Sequence, residues 1–218
     1  MVIGFSGLDG CGKSTIIKAL IVFLYDEKNS KRHVQSVWTR VGYTPGINLL
    51  KNIARKIFSK NLPSPGRSTS RTKTLQRPLV QRVWITISLL ELIWIFSIKL
   101  RVLSFRKVLL LDRQIDDSLI DLKILFGHDV LNDKFYRFLV FLLKKLSLNI
   151  EKVGIKIDLE TSDYRCSVKF EPFPDLPEEK IERINFYEKI LNKNNFSLVL
   201  DGTKDVNYSL QLLKSFYF

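Results

Sequence analysis

Cysteine is scarce in this chain of 218 residues, which contains only Cys11 and Cys166. Two cysteines at that separation do not suggest a disulfide framework, so the sequence argues against a small secreted disulfide-rich protein and favours a reducing cytoplasm. The first residue runs straight into an apolar stretch, so we expect no signal peptide. The sequence contains no internal repeat.

Acidic residues are nearly absent from one long part of the chain. Between Lys28 and Leu111 the only acidic residue is Glu91, and the whole chain carries a net charge of +13. Such an excess of cations could serve nucleic acid or an anionic membrane surface. However, the interleaved aromatic and basic residues that are typical of nucleic-acid modules do not occur. We therefore favour a site for polyanionic nucleotides, with the other lysines solvated, over a nucleic-acid partner, and expect no membrane partner.

An unbroken apolar run long enough for a membrane span is also missing. The segment 83–98 is mostly apolar but is shorter than the about 20 residues that a span needs. It also carries Glu91 near its centre, where a carboxylate is costly in lipid. Residues 79–100 are therefore predicted to form a buried helix. With 45% hydrophobic residues, residues 1–218 can form one α/β domain with a substantial core.

What the chain does contain is a phosphate-binding motif at residues 7–15, Gly-Leu-Asp-Gly-Cys-Gly-Lys-Ser-Thr. An apolar strand pattern precedes it and a helical pattern follows it, which is the context that this motif requires. The backbone N–H groups of such a loop surround a polyphosphate at a helix amino terminus, while the lysine reaches the β- and γ-phosphates and the hydroxyl holds Mg²⁺. We therefore predict binding of ATP and Mg²⁺. The nucleotide-binding residues predicted here are Gly7, Gly10, Cys11, Gly12, Lys13, Ser14 and Thr15.

Two further strands are predicted to end in charged residues. Residues 34–39 form one strand pattern and lead to Arg40, while residues 108–111 form a continuous apolar run that leads to Asp112 and Arg113. Ligands of open parallel sheets bind beyond the carboxyl ends of the strands. Asp112 could hold the magnesium shell or accept a proton, and Arg113 could offset phosphoryl charge. Arg40 is either a substrate clamp or a solvated arginine.

Three weaker features remain open. Trp84, Ser88 and Glu91 share one face of the predicted helix, so they could line a substrate site, although the carboxylate could equally point to solvent. Asp117 lies at the start of the next predicted helix, where aspartate is also favoured as a cap. Residues 59–78 are rich in Ser, Pro, Lys and Arg, and we favour a flexible basic insert over a functional lid.

Taken together, these motifs resemble the thymidylate kinase family of P-loop kinases. The resemblance rests on the motif at 7–15, on Thr39-Arg40 with the Gly-Tyr-Thr-Pro-Gly loop after it, and on Asp112-Arg113 followed by Asp117-Ser118. It implies a three-layer α/β fold with a mostly parallel five-stranded sheet, and a lid region at about 160–180. It also implies transfer of the γ-phosphoryl group of ATP to a nucleoside monophosphate, most simply thymidylate.

The resemblance assigns roles to individual residues. Lys13 and Ser14 would handle ATP and Mg²⁺, with Asp9 and Asp112 near the acceptor and the metal. The remaining predicted site residues are the acceptor-phosphate ligands Arg40 and Arg113, the lid cations Arg165 and Lys169, and the adenine-side residues Thr203 and Lys204.

The chain departs from the family pattern at the acceptor side. Val41-Gly42-Tyr43 replaces the usual glutamate and Pro-Gly-Gly, and Glu91 falls close to the position of an arginine that grips the acceptor phosphate. Either Arg82 takes that role or the acceptor is not thymidylate. The alternatives are a P-loop kinase of a nucleoside or another small molecule, and a non-catalytic ATP-binding module. The sequence leaves homodimer formation open.

Overall fold

The computed structural model describes residues 1–26, 33–40, 77–169, 176–192 and 196–218. Within these residues, five strands form one parallel sheet with the order β2-β3-β1-β4-β5. The strands are β1 (Val2–Gly7), β2 (His33–Trp38), β3 (Lys107–Asp112), β4 (Glu151–Lys156) and β5 (Leu198–Asp201). The strand that leads into the phosphate-binding motif is therefore the central one, with β3 directly beside it.

Seven helices are described. They are α1 (Lys13–Asp26), α2 (Pro78–Ser104), α3 (Ile115–Phe126), α4 (Lys134–Leu146), α5 (Leu159–Lys169), α6 (Pro177–Leu191) and α7 (Val206–Tyr217). A short 3₁₀ turn, Val130–Asn132, precedes α4. Because all strands run the same way, each helix connection brings the chain back to the amino end of the sheet.

The core lies on both faces of the sheet. Along β3 the side chains alternate: Val108 and Leu110 belong to one buried cluster, and Leu109 and Leu111 to the other. The first cluster also contains residues of α1, α6 and α7, and the second contains residues of α2, α3 and α4. Strands covered on both faces need continuous apolar runs, which is what β1 and β3 have. The predicted three-layer α/β fold with a five-stranded parallel sheet is confirmed.

Helix α2 is the long apolar helix predicted over residues 79–100. By length and composition it could cross a membrane, and it is the one described helix of which this is true, but core helices of globular domains pass the same test. Ile85, Leu89, Leu92 and Phe96 are completely buried, so one face of α2 belongs to the domain core. The prediction of a buried core helix is supported for that face.

A π-helical segment, Trp94–Lys99, interrupts α2. The wider turn changes the backbone hydrogen-bond pattern, and here the carbonyl of Phe96 accepts a hydrogen bond from the backbone N–H of Leu148 at 2.9 Å. The segment that connects α4 to β4 is thereby fixed against α2.

Several predictions fall wholly or partly outside the described residues. The loop after Arg40 lies outside them, as does the basic insert except for Arg77 and Pro78. Of the predicted lid region, α5 and the first turn of α6 are described, and residues 170–175 are not.

Candidate active site

The loop between β1 and α1, residues 7–15, is called the phosphate loop below. Gly10 and Gly12 have φ values of 81° and 98°, a left-handed conformation that side-chain-bearing residues rarely adopt. A Cβ at Gly10 would also lie 2.8 Å from the carbonyl oxygen of Ser162 on α5. The hydroxyl of Ser162 donates to the carbonyl of Asp9 at 2.7 Å. The glycines therefore allow both the tight turn and the close packing of α5 against it.

Lys13 closes this loop. Its ammonium group donates to the carbonyls of Gly7 at 2.7 Å and Leu8 at 2.8 Å, and the residue is only 6% exposed. Burial lowers the pKa of Lys13, but the neighbouring Cys11 and Asp9 outweigh burial and raise it, so the ammonium stays protonated. Burial raises the pKa of the Cys11 thiol. The loop thus holds a fixed positive charge beside its backbone, as a polyphosphate site requires.

Ser14 and Asp112 bring a hydroxyl and a carboxylate together. The hydroxyl of Ser14, at the start of α1, donates to Oδ2 of Asp112, at the end of β3, over 2.8 Å. Oxygen ligands of this kind suit Mg²⁺, which usually keeps several waters and takes further ligands from substrate phosphates. Among the described residues there is no cluster of three or more His, Cys, Asp or Glu side chains that could hold a metal alone. The pair therefore fits a magnesium ion that arrives with a nucleotide.

Arg113 is held between two carboxylates. Its Nη2 lies 2.8 Å from Oδ1 of Asp9, and its Nη1 lies 3.4 Å from Oδ2 of Asp121. The other oxygen of Asp121 binds Nη1 of Arg183, on α6, at 2.5 Å. We call Asp9, Arg113, Asp121 and Arg183 the ion-pair chain. It runs from the phosphate loop through α3 to α6.

The backbone of Arg113 is also unusual. Its φ of 87° is left-handed, and it is the one non-glycine residue among those described with a positive φ. The hydroxyl of Thr39 donates to the Arg113 carbonyl at 2.7 Å, which ties this conformation to the end of β2. Such a conformation costs about 1–3 kcal/mol and persists where the surrounding contacts determine it. The side chain of Arg113 is thereby directed at Asp9.

Asp9 is the residue of the ion-pair chain that lies in the phosphate loop, and 27% of its side chain is exposed. Burial raises its pKa, but the cations Arg113, Lys13, Arg183 and Arg40 outweigh burial and lower the pKa to about 2. The carboxylate is therefore ionised at neutral pH. It can accept a hydrogen bond from a substrate hydroxyl, whereas it is a weak base.

Asp117 does not lie at the crevice surface. It is completely buried, and its oxygens accept hydrogen bonds from the hydroxyls of Ser6 and Tyr187 and from the backbone N–H of Gln114. This corrects the prediction that Asp117 contacts substrate, because every oxygen is already occupied inside the protein. The capping alternative is the better one, since the bond to Gln114 is part of a capping box at the start of α3.

The predicted residues of the adenine side lie near the end of β5. The guanidinium of Arg165 donates to the carbonyl of Gly202 at 2.8 Å, which links α5 to the loop before α7. Thr203 is fixed by Asp201, and Lys204 follows it on the surface. Lys169 lies at the exposed end of α5, one turn beyond Arg165. Arg165, Thr203 and Lys204 are thus brought to one region, with Lys169 at its edge.

The three predicted residues of α2 lie on a flank of that helix. Ser88 is buried, while Trp84 and Glu91 are half-buried. Arg40, two residues after the end of β2, is half-buried and close enough to Asp9 to lower the pKa of that carboxyl. The structure therefore gathers Lys13, Arg40 and Arg113 around Asp9, and a substrate role for the α2 flank stays a prediction.

Sequence reasoning did not identify Asp121, Arg183 and Tyr187. Together with Asp117 they form two pairs at helical spacing, since Asp121 lies one turn after Asp117 on α3 and Tyr187 lies one turn after Arg183 on α6. Polar residues at positions i and i+4 are common on solvated helix faces, so the spacing alone carried no signal of burial.

Comparison with known proteins places this geometry in a fold. No protein-family model matches the chain, and no curated protein matches it. Among the solved structures that do match are two kinases. One is a deoxyadenosine kinase from M. mycoides with bound dATP, at 17% identity and a TM-score of 0.54, over 99% of this chain and 98% of that one. The other is a thymidylate kinase from Ehrlichia chaffeensis, at 16% identity and a TM-score of 0.52, over 99% and 96%. The chain has the fold of both proteins.

Proposed function

We propose that the chain transfers the γ-phosphoryl group of ATP to a nucleoside-type acceptor. One observation carries this proposal: Lys13 spans the phosphate loop while Ser14 and Asp112 meet at 2.8 Å beside it. A polyphosphate, its metal and a charge-neutralising cation would be held together there, which is most of what phosphoryl transfer demands of a protein. Both solved structures named above are kinases, which supports the proposal.

In this mechanism the protein mainly positions and neutralises. The phosphate loop and Lys13 hold the triphosphate, and Ser14 with Asp112 would hold Mg²⁺, which neutralises charge on the phosphates. Asp9 accepts a hydrogen bond from the acceptor and is kept ionised by the cations around it. Thr203 and Lys204 would contact the adenine side of ATP beyond the carboxyl end of β5, and Arg165 and Lys169 of α5 would be the cations of the lid. We place the reaction in the cytoplasm, where both substrates occur.

The first acceptor to test is thymidylate, as the resemblance implies, with Arg40 as the ligand of its phosphate. A coupled ADP-release assay would compare thymidylate, other nucleoside monophosphates and free nucleosides at one magnesium concentration. Selective turnover of one monophosphate is the expected result. Turnover by Lys13→Ala equal to that of the wild type would contradict the proposal.

A free nucleoside is the second candidate acceptor. It is favoured by the two carboxylates that already occupy Arg113, because a phosphate dianion would have to displace Asp9 or Asp121 to bind there. The same assay separates the two, since a nucleoside kinase turns over thymidine or deoxyadenosine and not the monophosphates. Binding of ATP without release of ADP, together with steeply salt-dependent DNA binding, would instead favour an ATP-binding module.

A further inference from the structure

Helix α6 sends two large polar side chains into the interior. Arg183 is 5% exposed and Tyr187 is 3% exposed, and they are one helical turn apart. Each meets a carboxylate of α3: Arg183 binds Asp121, and the Tyr187 hydroxyl donates to Asp117. The two contacts join the same pair of helices, but the residues that Asp121 and Asp117 contact in turn are different.

Behind Asp121 lies Arg113, and behind Arg113 lies the phosphate loop. Asp121 uses one oxygen for Arg183, at 2.5 Å, and the other for Arg113, at 3.4 Å. Because the carboxylate is planar, the side chain that fixes one oxygen also fixes the direction of the other. Arg113 then reaches Asp9 over 2.8 Å. Behind Asp117, by contrast, lie the hydroxyl of Ser6, on β1, and the backbone N–H of Gln114, at the start of α3.

Burial makes this arrangement sensitive to the loss of one member. Arg113 and Arg183 each have about 6% of their side chain exposed, so neither guanidinium can turn to water without moving its neighbours. If Arg183 is absent, Asp121 is free to rotate, so its contact with Arg113 no longer has a fixed direction and the Arg113 guanidinium is held less firmly against Asp9. Asp9 would then lose the partner that directs its carboxylate.

We propose that Arg183 is a positioning residue of the active site: it orients Asp121, which clamps Arg113, which in turn holds the Asp9 carboxylate in place for the acceptor. For its kinetic consequence this inference rests on the proposed kinase activity. Arg183 binds Asp121, and its charge also helps to lower the pKa of Asp9, whereas Lys13, Ser14 and Asp112 are held by contacts of their own. The effect should therefore appear at the acceptor step and not in ATP binding.

The experiment compares Arg183→Met, Arg183→Lys and the matched control Tyr187→Phe. For Arg183→Met we expect kcat to fall by roughly tenfold to a hundredfold at saturating substrates, as for a misplaced catalytic group, with the Kd for Mg·ATP changed less than about twofold. Arg183→Lys keeps the charge without the planar fork and should recover part of the loss. Tyr187→Phe removes the neighbouring contact between α6 and α3 and should keep kcat within about twofold. If Arg183→Met does not fold, the contrast between Arg183→Lys and Tyr187→Phe decides.

A second readout does not need an acceptor. Rotation of the Arg113 guanidinium about its Nε–Cζ bond, measured by NMR, should be slow in the wild type and in Tyr187→Phe, and roughly tenfold faster or more in Arg183→Met. If the wild type phosphorylates no acceptor, the proposed function fails, and this rotation still decides the clamp. Equal rotation rates in Arg183→Met and the wild type, or equal kinetic losses in Arg183→Met and Tyr187→Phe, would overturn the inference, because Arg183 would then only dock α6.

Discussion

The phosphate loop and the ion-pair chain lie side by side, but they are built from contacts of very different sequence separation. Lys13 bonds to carbonyls five and six residues away. Arg113 and Asp9 are 104 residues apart, and Arg183 and Asp121 are 62 residues apart. Closure of the loop by Lys13 is therefore specified by a local sequence, although Ser14 of the loop also bonds to Asp112, 98 residues away. The ion-pair chain, in contrast, forms only after β1, β3, α3 and α6 have packed. Donor binding should therefore tolerate distant substitutions better than acceptor turnover does.

The largest effect is expected from Lys13→Ala. Loss of the ammonium removes the cation that neutralises the transferred phosphoryl group, so kcat/KM for ATP should fall by about 10³-fold. Coupled ADP release measures this loss. The matched control is Lys18→Ala on the same helix, because Lys18 is exposed and should leave activity unchanged. Comparable losses in both variants would mean that the loss of activity is not specific to the lysine of the phosphate loop.

Asp112→Asn should have the next largest effect. The amide keeps the shape of the side chain but removes the charge that would hold Mg²⁺, so kcat should fall by about 10²-fold and more magnesium should be needed for half-maximal activity. A magnesium titration of the ADP-release rate measures both. Asp116→Asn is the control, since Asp116 lies only four residues further along, in the first turn of α3, but pairs with Lys152. An unchanged magnesium requirement would remove Asp112 from the metal site.

The same contrast explains what could be predicted from the sequence. The phosphate loop, the strand that ends at Asp112 and the buried helix over 79–100 could be predicted, because each depends on a short apolar or glycine pattern. The far end of the ion-pair chain could not be predicted, because Asp121 and Arg183 are charged residues of the kind that usually lie on solvated helix faces. Asp117 was misassigned for a related reason. An aspartate at a helix start is a capping signal in any position, and only the packed sheet places it beneath the crevice floor.

Asp9→Asn tests the ion-pair chain through pH. In the folded protein the pKa of Asp9 is lowered from 3.8 to about 2, because the cations around it outweigh its burial. A lowered folded pKa gives stability that is present above pH of about 4 and is lost as the pH falls towards 2, here about 2 kcal/mol. Urea unfolding of the wild type should show this loss in the free energy of unfolding, and Asp9→Asn should show it much less. Parallel pH profiles for the two proteins would mean that Asp9 is not paired in solution.

The smallest effect is expected from Gly4→Ala, which probes how β1 and the turn at Arg113 are joined. A Cβ at Gly4 would lie 2.7 Å from Cγ of Gln114, whose amide donates to the Gly4 carbonyl, so Gln114 must shift. Overpacking of this kind should lower the free energy of unfolding by about 1–3 kcal/mol. Because Gln114 directly follows Arg113, the shift should also lower acceptor turnover while leaving the Kd for Mg·ATP unchanged.

Gly127→Ala is the control, since Gly127 is a left-handed glycine on the surface with no atom within 4 Å of the added Cβ. It should lose stability by backbone strain alone and keep its turnover, and equal turnover losses in both variants would show that the loss reflects lower stability and not a shift of the turn at Arg113.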